Sequence, residues 1–79
     1  MNYRLLYFAS LADRAGCAAE SVESQATDPA TLYAEIAPRH GFTFAPTRLR
    51  VAVGGRIVDW THTLNDGDEI VFLPPVSGG

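Results

Sequence analysis

The chain has 79 residues, 47% apolar and 19% charged, with a formal net charge of −3; this predicts one folded domain hiding roughly 60–65% of its surface and excludes disorder. All six basic residues are arginine, and they form no basic stripe, which argues against nucleic acid as a partner. No apolar run approaches the roughly 20 residues that cross a bilayer, no signal peptide precedes the strand-like start at Met1, and the single cysteine, Cys17, forbids an internal disulfide, so a cytoplasmic protein away from membranes is expected.

Residues Asn2 to Phe8 read as a strand, with Tyr3, Leu5 and Tyr7 on one face and Arg4, Leu6 and Phe8 on the other. Both faces carry apolar groups, which predicts a central strand or one whose second face meets a partner. Ala9 to Ala15 reads as a short helix stopped at Gly16, and Ala19 to Ser24 as an edge strand around Val22. Thr27-Asp28-Pro29 is a helix start, since Asp28 can cap free N–H groups and Pro29 has none to lose. Leu32, Ile36 and Ala37 then make an apolar stripe at helical spacing. Pro38 is expected to end or kink that helix, with Gly41 as its latest limit.

Phe42 to Thr47 reads as a loop with buried aromatics, and Leu49 to Val53 as a strand. Gly54-Gly55 signals a hairpin turn into a short strand, Arg56 to Val58, with Trp60 as a partly buried anchor beside it. After a connection, Asn65-Asp66-Gly67-Asp68 is a tight turn. Glu69 to Leu73 is the final strand, ended by Pro74-Pro75, which cannot donate to a sheet ladder. The fold class is therefore α+β, a mixed sheet packed on one main helix, with the first and last strands side by side at its centre. Residues 1–73 form the globular part of a single domain, 1–79, and residues 74–79 a projecting tail.

Catalytic sets are sparse. His40 and His62 are isolated and read as surface or capping residues, and Cys17 as a small structural thiol. Asp66, Asp68 and Glu69 lack calcium-loop spacing, and no Cys, His and acidic cluster has metal-ligand spacing, so no metal and no bound cofactor are expected. The tail is different. Pro74 and Pro75 favour a stiff extended backbone, and the six residues from Pro74 to Gly79 reach roughly 20 Å. Gly78 and Gly79 have no side chains and can thread a narrow channel. The reactive group at the tip is the Gly79 carboxylate, a poor acyl donor until a separate enzyme adenylates it with ATP. Without lysine the chain cannot acylate itself, although codon bias is the favoured explanation of that absence. Against this stands the plain alternative, a frayed end that happens to carry two glycines.

The run Leu64-Asn65-Asp66-Gly67-Asp68-Glu69-Ile70-Val71-Phe72-Leu73-Pro74-Pro75-Val76-Ser77-Gly78-Gly79 resembles the C-terminal signature of the small subunit of molybdopterin synthase, the MoaD-type sulfur carriers. Leu5-Leu6-Tyr7-Phe8-Ala9-Ser10-Leu11 is similar to that family's first strand and turn. The resemblance implies a ubiquitin-like β-grasp fold and a role outside catalysis proper. A ubiquitin-activating-type adenylyltransferase would adenylate Gly79, sulfur from a donor persulfide would make the thiocarboxylate, and the large subunit of a heterotetrameric synthase would accept the tail. There sulfur would pass to cyclic pyranopterin monophosphate. Gly78 and Gly79 would then carry the chemistry, and Phe8, Ile57, Phe72, Leu73, Pro74, Pro75, Val76 and Ser77 would meet the partner. The chain departs from the family's common pattern at Ala12, often Arg, and at Gly54, often Asn.

From the residues alone, Phe8, Leu73 and Ile57 form a candidate exposed apolar patch of the kind that marks interfaces; the alternative is that all three are core. Carriers for thiazole, cysteine or tRNA thiolation, and ubiquitin-like modifiers, share the terminal Gly-Gly and stay open as alternatives. So does a plain binding domain, in which that dipeptide is dispensable.

Overall fold

The computed structural model describes residues 1–75; Val76, Ser77, Gly78 and Gly79, and with them most of the expected tail, lie outside the described residues. The element order is β1 (Asn2–Tyr7), α1 (Ala9–Ala15), β2 (Ala19–Glu23), α2 (Pro29–His40), a 3₁₀ turn (Pro46–Arg48), β3 (Arg50–Val53), β4 (Arg56–Val58) and β5 (Glu69–Leu73). The five strands form one sheet in the order β2-β1-β5-β3-β4. β1 and β5 lie side by side, as expected of two very apolar strands; they pair in parallel, and the other pairings are antiparallel. The edge position expected for β2 is also observed.

The alternation in β1 decides which face is core. Tyr3, Leu5 and Tyr7 point toward α2, where they meet Leu32, Tyr33 and Ile36, and Ile70, Phe72 and Val51 complete the layer. The tyrosines keep their hydroxyls satisfied inside it: Tyr3 donates to the Ala26 carbonyl at 2.5 Å and Tyr33 to the Phe44 carbonyl at 2.7 Å. An unpaired hydroxyl there would cost about 1–3 kcal/mol.

α2 starts as its sequence dictates. The Asp28 carboxylate accepts the Thr31 N–H at 2.8 Å, and Pro29 occupies the first turn. Asp28→Ala should therefore cost about 1 kcal/mol of stability, read as a lowered midpoint in urea unfolding. Of the two outcomes expected at Pro38, an end or a kink, the end does not occur; α2 runs through it to His40. Proline at 38 removes one bond to the carbonyl of Ala34, four residues back. Ala34 lies on the exposed face, where water can take that bond, and burial of Leu32, Tyr33 and Ile36 holds the rest. The stop is Gly41, at φ 70°, beyond which the Phe42 N–H caps the Ala37 carbonyl at 2.9 Å.

The segment after α2 contains the expected buried aromatic, Phe42, and also the short 3₁₀ turn over Pro46–Arg48. Gly54 and Gly55 both have positive φ, 60° and 83°, so the β3–β4 hairpin has the twist of a type I′ turn. Asn tolerates that region too, so Gly54 preserves the turn that the family's more common Asn would make. The acidic turn before β5 has structural employment. Asp66 accepts the Asn2 N–H at 2.6 Å and Asp68 accepts the Asn65 N–H at 2.8 Å, pinning the start of β5 beside the start of β1.

Candidate functional site

The same alternation that fills the core leaves a second set of apolar residues on the face away from α2. Register aligns them: Ala19 lies opposite Leu6, Leu6 opposite Val71, Val71 opposite Ala52, and Ala52 opposite Ile57. An apolar row thus crosses all five strands. Val71 and Ala52 are only 9% and 7% exposed but do not belong to the core beneath α2, so neighbours on their own face screen them. Leu6 was legible as outward-facing in the sequence. Val71 and Ala52 were not singled out, although period-two reading of β3 and β5 would have found them.

Further along the strands, beyond this row, β1 and β5 end and a groove opens. Phe8, Ala9, Thr47, Arg48, Leu49, Arg50, Leu73, Pro74 and Pro75 line it, and its volume is about 850 Å³. Phe8 is 52% exposed, Leu73 and Pro74 are half-buried and Pro75 is exposed. The expected pairing of Phe8 with Leu73 is therefore observed, and Pro74-Pro75 forms part of the same surface. The parallel β1–β5 pairing makes this happen, because it brings the ends of both strands to one edge of the sheet. Ile57, 56% exposed, stands apart on β4 and lines a neighbouring depression, joined to the groove through Arg50. The groove residues that the sequence reading did not assign to a site, Ala9, Thr47, Arg48, Leu49 and Arg50, come together with the rest only through tertiary pairing.

The turn that aims Phe8 carries strain. Phe8, the N-cap of α1, is extended at φ −122°, and Ala9, the first residue of α1, has φ 50°. A non-glycine residue in that region costs about 1–2 kcal/mol, and such cost is often kept where a side chain must be held in place.

Phe72 does not belong to the docking surface, contrary to the expectation that it meets a partner. It is fully buried, with its ring stacked on Trp60 at 6.0 Å and edge-on to Tyr33 at 5.2 Å. Its neighbour Leu73 faces the opposite way, as strand geometry requires. Trp60 is the half-buried anchor the sequence suggested.

His40 is also more than a surface residue. Its Nε2 lies 2.5 Å from the Glu20 carboxylate, which accepts a second hydrogen bond from the Tyr7 hydroxyl at 2.5 Å. His40 packs edge-on to Tyr7 and against Phe42. This cluster ties the end of α2 to the edge strand β2. Cys17, half-buried, packs against the core as expected of a structural thiol.

Burial alone would raise the Glu20 pKa, but the hydrogen bonds from Tyr7 and His40 and the nearby cationic Arg39 outweigh it and hold the carboxyl below its ordinary 4.5. Burial first, and then the hydrogen bond to Glu20, push the Tyr7 phenol upward. A lowered carboxyl value stabilises the fold above the unfolded value and is lost as pH falls below 4.5 through the folded one. Glu20→Gln should therefore flatten the acid limb of a stability-against-pH curve; an unaltered limb in urea titrations would contradict the assignment.

The sheet order, the parallel central pair and the single long helix across one face define the ubiquitin-like β-grasp class. SAMP1 of Haloferax volcanii shares this fold, with a TM-score of 0.82 at 22% identity over 100% of both chains. The model of the ThiS family matches residues 5–79, so the chain belongs to the ThiS family, the ubiquitin-like sulfur carriers. The molybdopterin synthase sulfur carrier subunit of Escherichia coli (strain K12) is 32% identical over 96% of this chain and 98% of its own. Subunits 1 and 2 of the molybdopterin-converting factor of Helicobacter pylori form a solved protein–protein complex. The matching chain there is 25% identical with a TM-score of 0.70, and the match covers 100% of both chains. Among the described residues, no helix is long and apolar enough to cross a membrane.

Proposed function

We propose that this chain is the cytoplasmic sulfur-carrier small subunit of a molybdopterin synthase, working through a thiocarboxylate at Gly79. The observation that carries this reading is the groove of Phe8, Leu73, Pro74 and Pro75, beside the end of β5, the strand that residues 76–79 follow in sequence. A partner seated on that groove receives the tail at a fixed point. The name of the Escherichia coli relative and the two-subunit Helicobacter pylori complex favour the molybdopterin branch over other carriers.

In this mechanism a ubiquitin-activating-type adenylyltransferase attacks ATP with the Gly79 carboxylate, forming the acyl adenylate and releasing pyrophosphate. A persulfide sulfur then displaces AMP, and cleavage of the sulfur–sulfur bond by a thiol reductant leaves the thiocarboxylate. Gly78, without a side chain, passes the narrow entrance of the large subunit, while Val76 and Ser77 span from the groove to that entrance. The large subunit of the heterotetramer supplies the site where sulfur passes to cyclic pyranopterin monophosphate, giving molybdopterin. The small subunit contributes positioning and the sulfur atom; catalysis belongs to its partners.

Intact mass spectrometry after coexpression with the native activating enzyme tests this. The expected product carries the mass shift of one oxygen exchanged for sulfur at Gly79, and deletion of Gly78-Gly79 abolishes both the shift and molybdopterin formation. An unshifted terminus with amide-linked conjugates on lysines of other proteins would instead indicate a modifier. Full activity after the deletion would indicate a plain binding domain.

A further inference from the structure

The groove beside Leu73 is not only apolar. Its wall carries Arg48 and Arg50, both exposed, and no aspartate or glutamate lines it. Two of the chain's six arginines thus meet at one groove of a protein whose net charge is −3. Among the described residues neither is within ion-pair distance of a carboxylate; the pairs found there are Arg4 with Glu69 and His40 with Glu20. Arg50 lies opposite Leu73 in the β3–β5 register and also lines the depression that holds Ile57. It therefore stands between the two apolar side chains that the docking reading assigns to a partner.

We propose that Arg48 and Arg50 form a cationic lip that engages carboxylates of the docked protein, so that the partner presents an apolar side chain to Phe8 and Leu73 flanked by aspartate or glutamate. This rests on the docking role proposed above and adds the chemistry of the partner's surface. The guanidinium fork matches a carboxylate in two parallel hydrogen bonds. The arginine stems extend the apolar surface beside Leu73 while their heads remain in water. Nucleic acid is the weaker fit, since two cations on an acidic protein release few counterions. Charges at the rim of an apolar contact act mainly on encounter, raising the association rate in a salt-dependent way.

The test is stopped-flow or surface binding of the full-length carrier to its cognate molybdopterin synthase large subunit across a series of salt concentrations. Arg50→Glu is expected to slow association about tenfold at low salt, and the Arg48→Glu, Arg50→Glu double variant further, with the difference closing as salt screens it. Arg39→Glu makes the same charge change on the exposed side of α2 and should leave the rate near that of the wild type. Rates unchanged in the double variant, while Leu73→Asp still weakens binding, would overturn the lip and leave the docking surface standing. An equal slowing by Arg39→Glu would also overturn it, because net charge would then account for the effect. No binding by the wild type would remove both the lip and the reading beneath it.

Discussion

Phe72→Ala should be the most destabilising of the substitutions considered, lowering the unfolding midpoint sharply. Truncating a buried phenylalanine costs about 3–5 kcal/mol, part from lost transfer energy and part from the cavity left behind. A domain of 79 residues, at about 0.05–0.15 kcal/mol per residue, has about 4–12 kcal/mol in all. The loss is therefore about a quarter of the total or more. The position leaves little room for collapse, because the Phe72 ring is held by Trp60 on one side and Tyr33 on another, and β5 is the middle strand. Urea unfolding followed by circular dichroism reads the result directly. A midpoint equal to that of the wild type would contradict the central placement of Phe72.

One residue further along, the expected outcome reverses. Leu73→Asp should keep the fold and lose the partner. Leu73 lies on the outer face, half-buried, and the new carboxylate falls opposite Arg50 in the register, which offsets its desolvation. Loss of an interface anchor costs about 2–4 kcal/mol in binding, or roughly 30- to 1,000-fold in Kd. Phe8→Asp should behave alike, because the two side chains line the same groove. Isothermal titration with the large subunit, alongside thermal melts of each variant, separates binding from folding. Native-like affinity in a folded Leu73→Asp protein would remove the groove from the docking surface.

The contrast between positions 72 and 73 also shows what the sequence alone can and cannot decide. Alternation in Asn2–Phe8 and the apolar run of Glu69–Leu73 ended by Pro74-Pro75 made both strands legible, and their shared apolar character made their central pairing so. Asp28, Pro29 and Gly41 marked the ends of α2, since capping is a local property. Burial of Phe72 was missed because Phe72 and Leu73 are both large and apolar, and only the register with β1 decides which one faces α2. Pro38 misled for a related reason: the penalty of a proline in a helix was read without the packing of Ile36 and Tyr33 that outweighs it. His40 seemed isolated because its partners, Tyr7 and Glu20, lie 33 and 20 positions away in sequence. Arg48 and Arg50 escaped notice by the same logic, as their significance depends on Leu73 coming to lie beside them.

The parallel pairing of β1 with β5 bears on how the protein comes into being. β5 is the last described strand to be synthesised and occupies the centre of the sheet, so β1 and β3 have no common neighbour until residues 69–73 have been made. The contacts that join residues 4–7 to residues 69–72 span nearly the whole chain, and such long closures slow folding. A nascent chain therefore holds an incomplete sheet with the open edges of β1 and β3 unsatisfied, a state prone to association with other chains. The groove proposed to receive a partner is made by this last closure. A truncated translation product, lacking β5, cannot form this groove and, under the proposed function, would not compete with complete chains for a partner.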